Sequence, residues 1–266
     1  MKRVLMAVVC LFGLAMASPA SAALVNINGQ LVPSELVGTN ATYRLIFVTA
    51  GATAAVDTNK GFYDTFVQNE ANRPGSVFQG KNSLYNWEAV ITVGGPSSVT
   101  STAANVLTGN SLGGLGVYNL GGVSLGTGTD IVNNGDVLAP VSYHQFMSSA
   151  GDSAVWTGST KNGTGAYTGG TGSSAAWLGS PTYGAIGLSS AADSGWIAIQ
   201  QNNGVAVTLQ KQFGGISGFP LVSIGLPVYG ISGELTAVPE PSTIALWSIC
   251  AGAIGLVAWR KRRKSS

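Results

Sequence analysis

Residues 24–236 form the body of the chain, between two distinctive ends. In the first third of the body, apolar and polar positions recur in patterns that predict specific elements. Residues 43–49 (YRLIFVT) are rich in β-branched and aromatic side chains, which predicts a strand. Residues 60–72 place Phe62, Phe66 and Val67 at helical spacing and are followed by Pro74-Gly75. We therefore expect a strand followed by one amphipathic helix.

The next stretch, residues 87–93, alternates in the manner of a strand. Trp87, Ala89, Ile91 and Val93 would share one face, since successive side chains of a strand point to opposite faces. The spacing predicts a strand with one buried face.

The rest of the body is less regular. Gly, Ser, Thr and Asn dominate residues 94–136, which we interpret as a long loop or as short strands joined by turns. Further predictions are a short helical segment over 142–149, a Gly-rich loop over 158–174, and strands over 154–157, 195–200, 205–210 and 226–235. One or two helices and about seven strands predict an α+β, mostly β domain of short antiparallel strands with long Gly-rich loops, over residues 24–236.

The N-terminus has the three regions of a secretory signal peptide. Lys2 and Arg3 precede an apolar run over 4–17, and small residues follow at Ala20-Ser21-Ala22. We expect residues 1–22 to be a signal peptide that is cut after Ala22 or Ala23. The alternatives are an uncleaved N-terminal anchor or a core helix.

The C-terminus combines a short polar motif, an apolar stretch and a basic cluster. Pro239-Glu240-Pro241 precede an uncharged span over 242–259, and the basic residues Arg260, Lys261, Arg262, Arg263 and Lys264 follow it. An 18-residue helix is about 27 Å long, close to the roughly 30 Å of a hydrocarbon core. The basic cluster predicts that this end stays cytoplasmic, so the body lies outside the inner membrane.

This tail, residues 238–266, resembles the PEP-CTERM signal of exported bacterial proteins. Pro-Glu-Pro, a following Ser, one span and an Arg-rich end all occur in order. The resemblance implies processing by an exosortase near Pro-Glu-Pro, after export through the secretion translocon and removal of the leader by signal peptidase. The alternative is a permanent single-span anchor.

Charge and cysteine usage both change once the two ends are set aside. Seven of the 13 Lys and Arg residues lie at positions 2, 3 and 260–264, whereas all 11 acids lie between Glu35 and Glu240. Six basic against 11 acidic residues leave the exported part near −5, which does not favour nucleic-acid binding. Cys10 and Cys250 lie in the two terminal segments, so the body has no disulfide, Cys-ligated metal site or Cys nucleophile.

The body is also similar to exported bacterial proteins that share this tail, in the pieces YRLIFVTA (43–50), FYDTFVQ (62–68), VWTG (155–158), DSGWI (193–197) and VYGISG (228–233). More distantly, it resembles bacterial domains of the C-type-lectin-like fold, in which a strand and a helix precede Trp-containing strands and long loops. The disulfides and the calcium- and sugar-binding motifs usual in such domains are missing, so this resemblance implies a fold and no ligand.

Two serines match the G-x-S-x-G pattern of hydrolases. Ser111 and Ser124 each lie between the required glycines, and His144 is the only histidine that could serve as their base. A nucleophile elbow needs a strand before the serine and a helix after it, and neither context is predicted. We therefore expect a protein that is not an enzyme, with a serine hydrolase as the alternative.

Two further groups of residues are candidates for ligand binding. Asp130 and Asp136 flank Asn133 and Asn134, an oxygen-rich loop that could hold Ca²⁺, although Asx residues in turns usually bond their own backbone. We expect no cofactor and no metal, with Ca²⁺ as the alternative. Trp156, Trp177 and Trp196 could stack on sugar rings or pack in the core, and we favour the core.

The two ends and the unreactive body together favour a non-enzymatic exported protein. We expect transient anchoring in the inner membrane by the C-terminal helix, exosortase processing, and delivery to the cell envelope or extracellular matrix in a structural or adhesive role. A carbohydrate-binding module acting on the exopolysaccharide of a biofilm is the alternative.

Overall fold

A computed structural model describes residues 23–95, 98–160, 162–165, 178, 183–193, 196–197, 208–210, 212–213 and 222–237. This part of the chain is α+β, with many short strands and few helices. The strands are β1 (Leu24–Ile27), β2 (Gln30–Pro33), β3 (Thr42–Val48), β4 (Thr53–Ala54), β5 (Glu88–Ala89), β6 (Val93–Gly94), β7 (Val99–Ser101), β8 (Gly116–Asn119), β9 (Ser124–Thr127), β10 (Ala154–Trp156), β11 (Tyr183–Leu188), β12 (Thr208–Gln210), β13 (Gln212–Phe213), β14 (Val222–Ser223), β15 (Gly225–Leu226), β16 (Tyr229–Ile231) and β17 (Leu235–Thr236).

Within the described ranges the helices number four, not the one or two expected. They are α1 (Lys60–Ala71), α2 (Asn82–Tyr85), α3 (Ala103–Thr108) and α4 (Gly128–Asn134), and 3₁₀ turns lie at Ser34–Leu36 and Gly109–Gly114. The predicted helix over 60–72 is confirmed as α1, with Asn59 as its N-cap, because the Asn59 side chain accepts a hydrogen bond from the Gly61 amide. The other three are short and begin in segments that lack a clear helical pattern.

A six-stranded sheet forms the centre of the fold. Its order is β5-β16-β3-β8-β9. Strands β16 and β17 pair with the same edge of β3, β16 near the C-terminal end of β3 and β17 near its N-terminal end. The strand predicted over 43–49 is confirmed as β3. Strand β8 pairs with β3 in parallel, which differs from the purely antiparallel arrangement expected from the sequence.

Both faces of β3 are buried, which explains its nearly continuous apolar sequence. Tyr43, Leu45 and Phe47 point into one hydrophobic core, and Ile46 and Val48 point into a second core on the other face. Helix α1 and the β1–β2 hairpin cover the first face, and α3 and α4 cover the second. The single sheet therefore separates two packed layers.

The first core contains an aromatic cluster. The ring of Trp87 stacks on Tyr85 at 5.3 Å and meets Phe47 edge-on at 4.8 Å and Phe78 at 4.6 Å between ring centres. Helix α1 presents Tyr63 and Val67 to this core, whereas Phe62 is 45% exposed. Of the three residues that predicted the helical face, Val67 and Phe66 therefore contact the first core, and Phe62 is the one that is wrongly placed.

Three predictions between residues 87 and 149 need correction. Residues 87–93 form only the short strands β5 and β6, and Val90 and Thr92 are buried along with Trp87 and Ile91, so the segment has no exposed face. Residues 94–136 form the short strands β7, β8 and β9, as one of the two interpretations expected, and also the unexpected helices α3 and α4, so the long loop is wrong. Residues 142–149 form no helix, because Tyr143 bridges to Ser149 and His144 bridges to Val48.

The strand predicted over 154–157 is confirmed as β10. The single strand predicted over 226–235 is instead divided among the end of β15, β16 and the beginning of β17. Strand β10 is an edge strand of a three-stranded sheet of order β10-β11-β12. Most of 195–200 and of the loop 158–174 lies outside the described residues. The C-type-lectin-like fold and the single-domain boundary at 24–236 stay predictions.

Candidate functional site

The described chain ends in a strand that is built into the central sheet. In β17, Leu235 pairs with Tyr43 and Thr236 pairs with Thr42 of β3. The Ala237 amide then donates to the Ala41 carbonyl at 2.9 Å. Leu235 is 3% exposed and Ala237 is fully buried, so the fold holds the chain up to the residue before Val238.

A buried amide fixes this strand from the side. The Gln30 Nε2 group donates to the Thr236 carbonyl at 2.9 Å and to the Tyr43 hydroxyl at 2.9 Å. Tyr43 in turn donates to the Leu31 carbonyl at 2.6 Å. Burial raises the pKa of Tyr43 to about 12, so its hydroxyl keeps the proton that it donates at neutral pH. We call Gln30, Tyr43 and Thr236 the C-terminal clamp.

The β1–β2 hairpin positions Gln30. The turn residues Asn28 and Gly29 both have positive φ, 53° and 89°, as the favoured two-residue hairpin turns require. The turn places Gln30 opposite Ile27 at the start of β2. The hairpin thus brings the beginning of the body against its end.

The N-terminal end of the described chain is also held. The Ala23 carbonyl accepts a hydrogen bond from the Ser34 amide at 2.8 Å, which extends the β1–β2 pairing by one residue. The backbone of Ala23 lies so close to Gly122 that a Cβ there would overlap it. Ala20 and Ala22, the other residues of the predicted cleavage site, lie outside the described residues.

The hydrolase candidates occupy a different part of the fold. Ser111 is exposed within the Gly109–Gly114 3₁₀ turn, where its φ is 66°, and Ser124 is the first residue of β9. Neither serine follows a strand and opens a helix, which is the context that a nucleophile elbow needs. His144 places Nδ1 3.2 Å from the Val48 carbonyl. The expectation that the protein is not an enzyme stays a prediction.

Asp130, one of the two acidic candidates for Ca²⁺, lies in the first turn of helix α4. Thr127 is its N-cap and accepts from the Asp130 amide, while the Asp130 carboxylate accepts from the Thr127 hydroxyl at 2.6 Å. The Thr127 side chain thus caps the helix, and the Asp130 carboxylate holds the Thr127 hydroxyl in place. Asp136 is exposed, and no group of three or more His, Cys, Asp or Glu side chains with metal-ligand geometry occurs in the described part of the chain. The absence of a cofactor stays a prediction.

Two of the three tryptophans lie in the core, as expected, and not on a sugar-binding surface. Trp156 is fully buried and Trp196 is 1% exposed, so neither indole face meets solvent. Trp156 belongs to the first core, and Trp196 packs on Tyr229 in the second, with 5.4 Å between ring centres. The core interpretation therefore holds for both. Trp177 lies outside the described residues.

Beyond Ala237, the predicted sorting segments lie outside the described residues: the motif Pro239-Glu240-Pro241, the apolar span 242–259 and the basic cluster 260–264. The family model of the PEP-CTERM protein-sorting motif matches residues 237–263. No curated protein matches the chain. The prediction of a PEP-CTERM motif is thus confirmed, and the motif indicates an exported protein that is sorted by an exosortase.

The PEP-CTERM match begins at Ala237, which is the last described residue and a buried one. The body and the PEP-CTERM motif therefore meet at the C-terminal clamp. Among the residues that the structure describes, no helix is both long and apolar enough to cross a membrane.

The sequence patterns do not predict the clamp. The Asn28-Gly29 pair between two apolar runs is a strong hairpin signal and could have located β1 and β2. Nothing local, however, indicates that Gln30 contacts Thr236, because that contact joins residues 206 positions apart.

Proposed function

We propose that this protein is exported, held briefly in the inner membrane by residues 242–259, processed by an exosortase near Pro239-Glu240-Pro241, and delivered to the cell envelope or extracellular matrix in a structural or adhesive role. The observation that carries the proposal is the PEP-CTERM motif over residues 237–263. The secretion translocon, signal peptidase and exosortase are its proposed partners.

The placement of this motif supports the proposal. Ala237 is buried in the fold, and Val238 is the one residue that separates it in sequence from Pro239. Pro239 and Pro241 each lack a backbone N–H and restrict the residue before them to extended conformations, which disfavours a helix over the motif. A processing enzyme binds its substrate most readily in such an extended form.

The chemistry of the body supports a structural or adhesive role. The stretch between the two terminal segments contains no cysteine and one histidine. Its largest aromatic side chains in the described ranges, among them Trp87, Trp156 and Trp196, pack in the two cores. A body of this kind supplies a stable folded surface rather than a reactive group.

Replacement of Pro239-Glu240-Pro241 by three alanines tests the proposal in a host that has an exosortase. The expected result is a larger, unprocessed protein that stays in the membrane fraction, whereas the wild type is found outside the inner membrane in a shorter form. Ser265→Ala with Ser266→Ala changes the same tail beyond its basic cluster and is the matched control. Normal processing of the alanine variant would contradict the proposal.

A further inference from the structure

We propose that the C-terminal clamp sets the N-terminal limit of tail processing, so that the enzyme cuts the chain on the C-terminal side of Ala237. The inference rests on the proposed function, because it concerns where the exosortase can act. It assigns Gln30, which lies far from the tail in sequence, as a positioning residue for maturation.

Strand β17 and Ala237 have few unpaired backbone groups that an enzyme could bind. The Ala237 amide is bonded to Ala41, and the Thr236 carbonyl is bonded to Gln30. Leu235 and Ala237 are also packed into the first core. An enzyme that binds its substrate as an extended strand needs these groups unpaired and these side chains accessible, so it cannot bind 235–237 while the clamp is closed.

Only a short length of chain separates the body from the motif. Consecutive Cα atoms are 3.8 Å apart, so the Cα atom of Pro239 lies within about 7.6 Å of that of Ala237. The folded body is therefore immediately N-terminal to Pro239 and limits how far an enzyme can extend in that direction. Residues up to Ala237 are therefore not available to the enzyme while the clamp is closed.

Cleavage by the exosortase would transfer the body to the enzyme and release the tail. One peptide C–N bond breaks, its carbonyl carbon passes to the nucleophile of the enzyme, and the amine of the released tail takes the proton. Water or an amine acceptor then attacks the acyl-enzyme and releases the body with a new C-terminus. With a closed clamp, the body keeps Leu235, Thr236 and Ala237 and hence the whole of β17.

Gln30 controls the clamp because it contacts both β17 and β3. Its amide nitrogen joins the Thr236 carbonyl to the Tyr43 hydroxyl, and Tyr43 pairs with Leu235 across the two strands. Loss of the Gln30 amide removes the side-chain hydrogen bond to Thr236, whereas the hydrogen bonds of the pairing between β17 and β3 remain. The strand then opens locally more often, without unfolding of the sheet.

Limited proteolysis of the full-length chain in detergent tests the clamp in the absence of any exosortase. A protease of broad specificity should cut the wild type C-terminal to Ala237 before it cuts within 233–237. Gln30→Ala should raise the rate of cutting within 233–237 about tenfold, since cleavage follows the population of the open form. Gln79→Ala, which removes an exposed amide that accepts from Gly75, is the control and should leave that rate unchanged.

Gln30→Met provides a second variant of similar size that lacks the N–H donors, for the case in which Gln30→Ala does not fold. Early cutting of the wild type within 235–237, or an unchanged rate in a folded Gln30 variant, would overturn the inference. In a host with an exosortase, a mature wild-type C-terminus at Ala237 or beyond supports it, and one before Ala237 overturns it. A tail that is never removed contradicts the proposed function instead, and the proteolysis still decides the inference.

Discussion

The guanidinium group of Arg44 donates a hydrogen bond to the Val106 carbonyl at 2.8 Å, at the C-terminal end of helix α3. Arg44 is fully buried, and its Nε also donates to the Ser232 carbonyl at 2.7 Å. The last carbonyls of a helix lack intrahelical partners and carry partial negative charge, so a cation is favourable there. One buried arginine thus joins β3, α3 and the segment between β16 and β17.

Arg44→Ala should lower the free energy of unfolding by about 3–5 kcal/mol, because it leaves buried carbonyls without donors and opens a cavity. Arg73→Ala is the matched control. The Arg73 side chain is 47% exposed and pairs with Glu70, so its loss should change stability by about 1 kcal/mol or less. Urea unfolding of the two variants measures the difference, and equal effects would contradict the role assigned to Arg44.

Gly230 allows helix α1 to pack closely on the sheet. A Cβ at this position would lie 2.5 Å from Val67 Cγ1 and 2.9 Å from Phe47 Cε1. Gly230→Ala should therefore destabilise the protein by about 1–3 kcal/mol through overpacking. A Cβ at Gly114 would have no neighbouring atom within 4 Å, and Gly114→Ala should stay within about 0.5 kcal/mol of the wild type in thermal unfolding. A tolerated Gly230→Ala would show that α1 packs differently.

Stability should fall as the pH rises above about 10. Burial is the main cause that raises the pKa of five tyrosines: Tyr43, Tyr63, Tyr85, Tyr118 and Tyr229. In the unfolded chain these hydroxyls lose their protons near pH 10, whereas the folded state keeps them, so the folded state binds more protons and stability decreases with pH.

Arg44 acts in the opposite direction, because burial lowers its pKa to about 10 and its unfolded form binds more protons above that pH. One arginine should not offset five tyrosines. Urea midpoints between about pH 9 and about pH 11 should decrease, and tyrosinate absorbance should rise together with unfolding. A midpoint that is constant or increases over that range would contradict the burial of these tyrosines.

Trp156→Ala separates a core role from a sugar-binding role. The ring is fully buried, and its Nε1 has no hydrogen-bond partner among the described residues, so the loss of packing alone should lower stability by about 3–5 kcal/mol. We expect equilibrium unfolding to detect this loss. A variant with unchanged stability that loses binding to an exopolysaccharide would instead show that Trp156 is a stacking surface.

The sequence predicted the elements whose patterns are local. The run of β-branched and aromatic residues at 43–49 identified β3, and Asn59 with the following helical spacing identified α1. The tail was recognised because its motif, span and basic cluster are contiguous. The position of Thr236 and Ala237 in the central sheet could not be inferred, since it depends on Gln30 and Ala41.

The elements that were missed depend on distant partners. Strand β8 (GVYN) has a Gly-rich context but lies beside β3 at the centre of the sheet, where Val117 and Tyr118 enter opposite cores. Residues 87–93 alternate like a half-exposed strand, yet Val90 and Thr92 are buried, because the segment also contacts Tyr229 and Thr157 through its backbone. The alternation of apolar residues in a strand indicates that one face is buried, but it does not indicate whether the other face is buried too.

The intact mass of the mature protein, released by a host that has an exosortase, shows where both ends of the chain are cut. We expect a chain that begins at Ala23 or Leu24, ends at or after Ala237, and lacks residues 242–266. The mass of the complete 266-residue chain, recovered from the cytosol, would contradict both export and sorting.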